Sequence, residues 1–182
     1  IQCFKYAECQ KIDFITTPYD PQSAQEVYDV GVRIFKSASA DLSDLYLHTK
    51  LNQFTDSRII IATGMASVGQ IKRTLNIYKN KSPDILHCVS AYPCADEDLN
   101  LKCMSQLAVN FPNNKIGFSD HSLGITPAIT CAALGYRLFE RHFTLNNSDK
   151  GPDHFASSDT NEMRDYVLQL KRIEKILGSE EK

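Results

Sequence analysis

Six short runs rich in Ile, Val, Leu and Phe alternate with amphipathic stretches of helical length, and this alternation restricts the chain more than any other feature. The runs are Ile12 to Thr17, Val32 to Lys36, Arg58 to Thr63, Asp84 to Ser90, Lys115 to Ser119 and Arg137 to Phe143. They are nearly continuous in apolar residues rather than strictly alternating, as expected for strands buried on both faces of a parallel sheet. Between and after them, Gln22 to Val30, Leu42 to Phe54, Val68 to Lys79, Asp96 to Asn110, Thr126 to Leu134 and Asn161 to Leu177 have helical length. The last carries Met163, Tyr166, Val167, Leu170, Ile173, Ile176 and Leu177 on one stripe, the spacing a helix needs to cover a sheet. Pro21 suits a first helical turn; Asp159 or Thr160 is expected to cap the last helix and Gly178 to end it. A helix-like run also opens the chain, directly after Ile1.

Repeated strand–helix units predict an α/β fold with a parallel sheet. A doubly wound sheet would carry a glycine-rich phosphate turn after an early strand, and none is present. Polar residues cluster instead at the carboxyl end of every run, where (β/α)8 TIM barrels build their sites. The expectation is a (β/α)8 barrel truncated to about six βα units.

Composition narrows the function classes. With 20 Lys and Arg against 22 Asp and Glu, interspersed, the chain has no basic footprint for nucleic acid or an anionic membrane. No apolar run approaches the roughly 18 residues of a membrane span, and no signal peptide is visible; a cytoplasmic protein is expected. The six cysteines form no C-x-x-C pair and read as free thiols, with Cys88 and Cys131 in the core.

The strand ends hold the candidate chemistry. Thr16, Thr17 and Asp20 follow the first run; Lys36, Ser37 and Ser39 the second; Thr63 and Gly64 the third; Ser90 and Tyr92 the fourth. Ser119, Asp120, His121 and Ser122 close the fifth run, Glu140 and His142 lie in the sixth, and Asp153, His154 and Ser157 follow in a loop. One lysine among hydroxyls suits an anion such as phosphate or carboxylate. Two histidines on adjacent strand ends can share a divalent ion and leave open coordination positions. Each residue alone has a plainer reading: a hydroxyl as a turn or cap, Lys36 as a solvated strand end, His121 as a cap, His142 as a core histidine, Tyr92 as packing. Convergence on one face raises the joint reading. His48 reads as a surface residue, His87 as structural and early in its strand; His154 stays undecided.

The strings ITTPYD, IFKSAS, IIATGMAS, LHCVSAYPCADEDLNL, IGFSDHSLG, FERHFTL and KGPDHFASSDTNEM occur in this order. Together they resemble the N-acetylneuraminate (sialic acid) synthase family, including its legionaminic and pseudaminic acid relatives, over essentially the whole chain. The resemblance implies a transferase of carbohydrate biosynthesis that condenses phosphoenolpyruvate with N-acetylmannosamine or a related amino sugar, with Mn2+ or Mg2+. It implies phosphoenolpyruvate binding by Thr17, Lys36, Ser39, Thr63, Ser90, Ser119 and His121, and metal binding by His121 and His142. Tyr92, Glu140 and Asp153 match sugar-side positions. Lys36 and Glu140 are the candidate catalytic residues, Glu140 either binding a sugar hydroxyl or transferring a proton.

Ala62 stands where the family usually has serine, and Ala40 where glycine is usual. The resemblance covers residues 1–182 as a partial barrel; two family strands and the C-terminal antifreeze-like domain have no counterpart here. The full-length parent is expected to be a homodimer, and the 182 residues alone to be unstable or inactive. A non-catalytic remnant retaining anion or metal binding is the alternative reading. An aldolase with Lys36 as Schiff base is a third, against which the histidine pair counts.

Overall fold

The computed structural model describes residues 1–179. It contains two compact units: residues 1–85 with 110–115, and residues 86–109 with the chain from 116 onward.

In the first unit, α1 (Gln2–Cys9) precedes β1 (Ile15–Thr16), α2 (Pro21–Val30), β2 (Ile34–Ser37), α3 (Leu45–Gln53), β3 (Arg58–Ala62) and α4 (Val68–Leu75). The three strands are parallel neighbours in chain order; Thr16 pairs with Phe35, and Lys36 with Ile60. Pro21 does occupy the first turn of α2, and the Asp20 carboxylate caps it by accepting from Ser23 N at 2.8 Å. Gly31 ends that helix at φ 114°, a backbone conformation that side chains with a Cβ avoid. Between α2, β2 and α3, Tyr28 stacks on Phe54 at 4.1 Å, and Phe54 packs on the fully buried Phe35 at 5.3 Å.

β4 (Asp84–His87) begins in the first unit and ends in the second. α5 (Cys103–Asn110), β5 (Ile116–Asp120), α6 (Thr126–Ala133), β6 (Phe139–Arg141) and α7 (Thr160–Leu177) follow. β5 and β6 are parallel, with Ser119 opposite Glu140 and Asp120 opposite Arg141. Gly117 makes this pairing possible: a Cβ there would lie 2.5 Å from the Leu138 carbonyl oxygen. A core of Cys94, Leu99, Met104, Phe118 and Cys131 lies in this unit.

Asp159 caps α7 in a reciprocal box with Glu162, and Gly178 ends it, as the sequence predicts. The longer predicted segments shorten where polar residues intervene. Asp96 to Asn110 resolves into a 3-10 turn at Asp96–Asp98 and then α5. Leu42 to Phe54 becomes α3 alone, started by the Asp44 carboxylate, which accepts from Tyr46 N and Leu47 N at 3.0 Å. All six cysteines are free, Cys88 and Cys131 among the buried ones.

Candidate active site

In the first unit, parallel register sets the candidate residues at one edge of the sheet. Thr17 lies one residue beyond the β1–β2 pairing, Lys36 lies in β2, and Thr63 follows β3. Ser39 opens a 3-10 turn, Ser39–Asp41, directly after β2. Lys36 and Ser39 are half-buried, while Thr63 is buried. The Asp41 carboxyl is raised above the usual carboxylate range by burial and by Asp44, with the Lys36 charge pulling the other way.

That turn is held from beneath by His48, which corrects its reading as a surface residue: the side chain is fully buried. His48 Nε2 lies 3.2 Å from the Asp41 carbonyl, which can only accept, so Nε2 carries the proton. Nδ1 then accepts from the Tyr78 hydroxyl at 2.7 Å. Thr74 Oγ1 donates to the adjacent Leu42 carbonyl at 2.6 Å. Desolvation lowers the His48 pKa. The His48–Tyr78 and Thr74–Leu42 bonds have no local signature, since their partners are 30 and 32 residues apart in sequence.

In the second unit, His121, His142 and Tyr92 form an aromatic cluster. The ring centroids of His121 and His142 are 5.4 Å apart and nearly perpendicular. The Tyr92 ring lies 4.1 Å from His121 and 5.3 Å from His142. His121 is buried and Nδ1 is 2.6 Å from the Val89 carbonyl. That acceptor places the proton on Nδ1 and leaves the Nε2 lone pair toward Ser119 Oγ, at 3.2 Å. Anchoring one ring nitrogen to a carbonyl while the other keeps its lone pair is the arrangement of a metal-binding imidazole. Asp153 Oδ2 lies 3.8 Å from His142 Nδ1, an ion-pair separation rather than a hydrogen bond.

Glu140 is half-buried and is the register partner of Ser119. Ser90 is exposed, three residues after β4. His87 ends β4 rather than starting it; its Nε2 donates to the Leu99 carbonyl at 2.8 Å and its ring stacks on Phe118, so the structural reading holds. His154 accepts or donates through Nδ1 to Thr144 Oγ1 at 2.7 Å, bracing the loop that carries Asp153. The structure thus brings together Tyr92, Ser119, His121, His142 and Asp153. Among the described residues no group of three or more His, Cys, Asp or Glu surrounds one point. An ion held by the two imidazoles would take its other ligands from water or substrate, as a catalytic ion does.

Residues 1–182 match the NeuB family. The chain belongs to that family. It is 38% identical over 181 residues to an uncharacterized protein of Methanocaldococcus jannaschii, an alignment covering 98% of this chain and 53% of the other. It is 34% identical over 178 residues to the N,N'-diacetyllegionaminic acid synthase of Campylobacter jejuni, covering 95% and 53%. The chain therefore spans about half the length of the curated relatives it matches. Its structure resembles that of the sialic acid synthetase of Leptospira borgpetersenii in complex with citrate, with a TM-score of 0.92 at 31% identity over 99% of this chain and 63% of that one. No helix among the described residues is long and apolar enough to cross a membrane.

Proposed function

We propose that this NeuB-family chain serves a sialic acid synthase-type condensation of phosphoenolpyruvate with N-acetylmannosamine or a related amino sugar. The observation that carries the proposal is the His121–His142–Tyr92 cluster, with His121 Nδ1 committed to the Val89 carbonyl. Family membership supplies the reaction class, and the six βα units read as part of an eight-unit barrel.

In the first unit, Lys36 with Thr17, Ser39 and Thr63 takes the anionic groups of phosphoenolpyruvate. A point charge with hydroxyl donors stabilises the charge on the departing phosphate. In the second unit, the family resemblance assigns Ser90, Ser119 and His121 to phosphoenolpyruvate, while Tyr92, Glu140 and Asp153 orient the sugar. His121 and His142 would hold Mn2+ or Mg2+, which supplies Lewis-acid polarisation of the open-chain sugar aldehyde. The phosphoenolpyruvate methylene carbon forms the new carbon–carbon bond at that aldehyde carbon. Water adds to the resulting oxocarbenium-like carbon, and the tetrahedral intermediate releases phosphate by carbon–oxygen cleavage. Glu140 binds a sugar hydroxyl or moves a proton in this reading.

The test is phosphate release by full-length protein given phosphoenolpyruvate, N-acetylmannosamine and Mn2+. Release that requires both substrates, and that is lost in Lys36→Met and His142→Ala, is the expected result. Sugar-independent release, or a covalent adduct at Lys36 after borohydride with pyruvate, would remove the proposal, the latter in favour of an aldolase.

A further inference from the structure

Asp120 and Arg141 each immediately precede one of the paired histidines, and neither figures in the chemistry above. Strand alternation turns them to the opposite face of the β5–β6 pair from Ser119 and Glu140. There they form a buried ion pair, Arg141 Nη1 to Asp120 Oδ2 at 3.0 Å, with side-chain exposures of 4% and 0%. Asp120 Oδ1 accepts from Ser122 N at 3.0 Å and from Ser122 Oγ at 2.6 Å. Asp120 Oδ2 also accepts from the Tyr166 hydroxyl of α7 at 3.2 Å. Arg141 Nε donates to Ser158 Oγ at 2.8 Å, and its guanidinium lies 5.5 Å from the Tyr166 ring centre. Ser158 N in turn donates to the His142 carbonyl at 2.9 Å.

We propose that the buried Asp120–Arg141 pair is a register clamp that positions His142 opposite His121. This rests on the reading of those histidines as a metal pair. β6 has only three residues, so its backbone ladder specifies register weakly. A two-residue slip of β6 along β5 keeps every side chain on its own face, so apolar residues on the buried face would oppose it only through packing. A carboxylate and a guanidinium tolerate none, because a slip leaves two buried charges apart. With Asp120 level with Arg141, the residue that directly follows each strand is a histidine. Ser158 completes the clamp, holding the Arg141 side chain through its hydroxyl and the His142 carbonyl through its amide. A buried ion pair seldom stabilises a fold more than apolar residues of equal volume, so specificity of geometry is its distinctive contribution.

The test separates geometry from folding. In metal-free, full-length wild-type protein, NMR should show cross-relaxation between the His121 and His142 rings. The double variant Asp120→Leu/Arg141→Met replaces the pair by apolar volume. It should keep a cooperative thermal transition, lose the ring-to-ring signal, and bind Mn2+ about tenfold or more weakly by electron paramagnetic resonance, the scale on which groups supporting metal ligands act. Arg141→Lys, which keeps the charge without the fork, should weaken Mn2+ binding by a smaller factor. A folded double variant with the ring signal intact and Mn2+ affinity within twofold of wild type overturns the clamp. Should the double variant not fold, unchanged Mn2+ affinity in Arg141→Lys overturns it, and a weakened affinity with an unchanged thermal midpoint supports it. Wild-type protein that shows the ring signal but binds no Mn2+ refutes the metal reading, while the ring signal in the variants still decides the clamp.

Discussion

Replacing His48 by leucine removes the support beneath the Ser39–Asp41 turn and leaves the buried Tyr78 hydroxyl without its partner. The Tyr78 hydroxyl, on a side chain 4% exposed, loses the acceptor it reaches at 2.7 Å. The Asp41 carbonyl loses the donor at 3.2 Å but keeps Asp44 N, which donates to it at 2.9 Å. One orphaned buried group costs about 1–3 kcal/mol, and leucine restores part of the lost contact, so the expected destabilisation is about 1–3 kcal/mol. Tyr78→Phe removes the other partner. In the wild-type background it should cost about 1 kcal/mol, whereas in the His48→Leu background it deletes an already orphaned hydroxyl and should be neutral or stabilising. Denaturant unfolding of the four proteins closes a double-mutant cycle, with an expected coupling of about 1–2 kcal/mol. Additivity within about 0.5 kcal/mol would refute the reasoning, because the two side chains would then not be bonded in solution.

Acid should weaken the fold through two histidines, since burial lowers the pKa of both His48 and His87. The unfolded chain then binds protons more readily, so this stability is complete above the unfolded value near 6.5 and falls as pH drops from there toward the lowered folded values, by at most about 1.4 kcal/mol per pH unit for each histidine; unfolding measured from pH 8 to 5 checks this, and a flat profile contradicts it. Gly117→Ala should cost about 1–3 kcal/mol, because the new Cβ meets the unyielding Leu138 carbonyl oxygen and Cβ besides the Leu86 side-chain tip; a thermal midpoint equal to wild type would count against the β5–β6 pairing. Cys131, fully buried with its thiol pushed up to about 12 by desolvation, should resist a thiol reagent at pH 8 that modifies exposed Cys3 and Cys9; comparable labelling rates would contradict the core placement.

Much of this was legible in sequence where the cause is local. The Asp159 cap and Gly178 terminus of α7 follow from residues within one turn of each end. The six strand centres follow from apolar runs that recur in all six strands. The Asp96 to Asn110 segment was overextended because a run of three acids preceding an apolar stretch satisfies a helical pattern while forming only a 3-10 turn. His48 was misread because its partners lie in β2, in the following turn and beyond α4, and long-range hydrogen bonds leave no periodic trace. Asp120 reads in sequence as one of the strand-end site residues and Arg141 has no signal of its own, for a different reason. Charged residues beside candidate ligands look like part of the site, yet alternation sends them to the buried face, and only the register shows that they meet.

The central claim is condensation with carbon–oxygen cleavage at phosphoenolpyruvate. It is tested most directly by supplying full-length protein with phosphoenolpyruvate carrying 18O at the bridging position, together with N-acetylmannosamine and Mn2+, and reading the released phosphate by 31P NMR. The account predicts phosphate that retains the label and forms only when the sugar is present. Unlabelled phosphate, or the same rate of release without sugar, would contradict it.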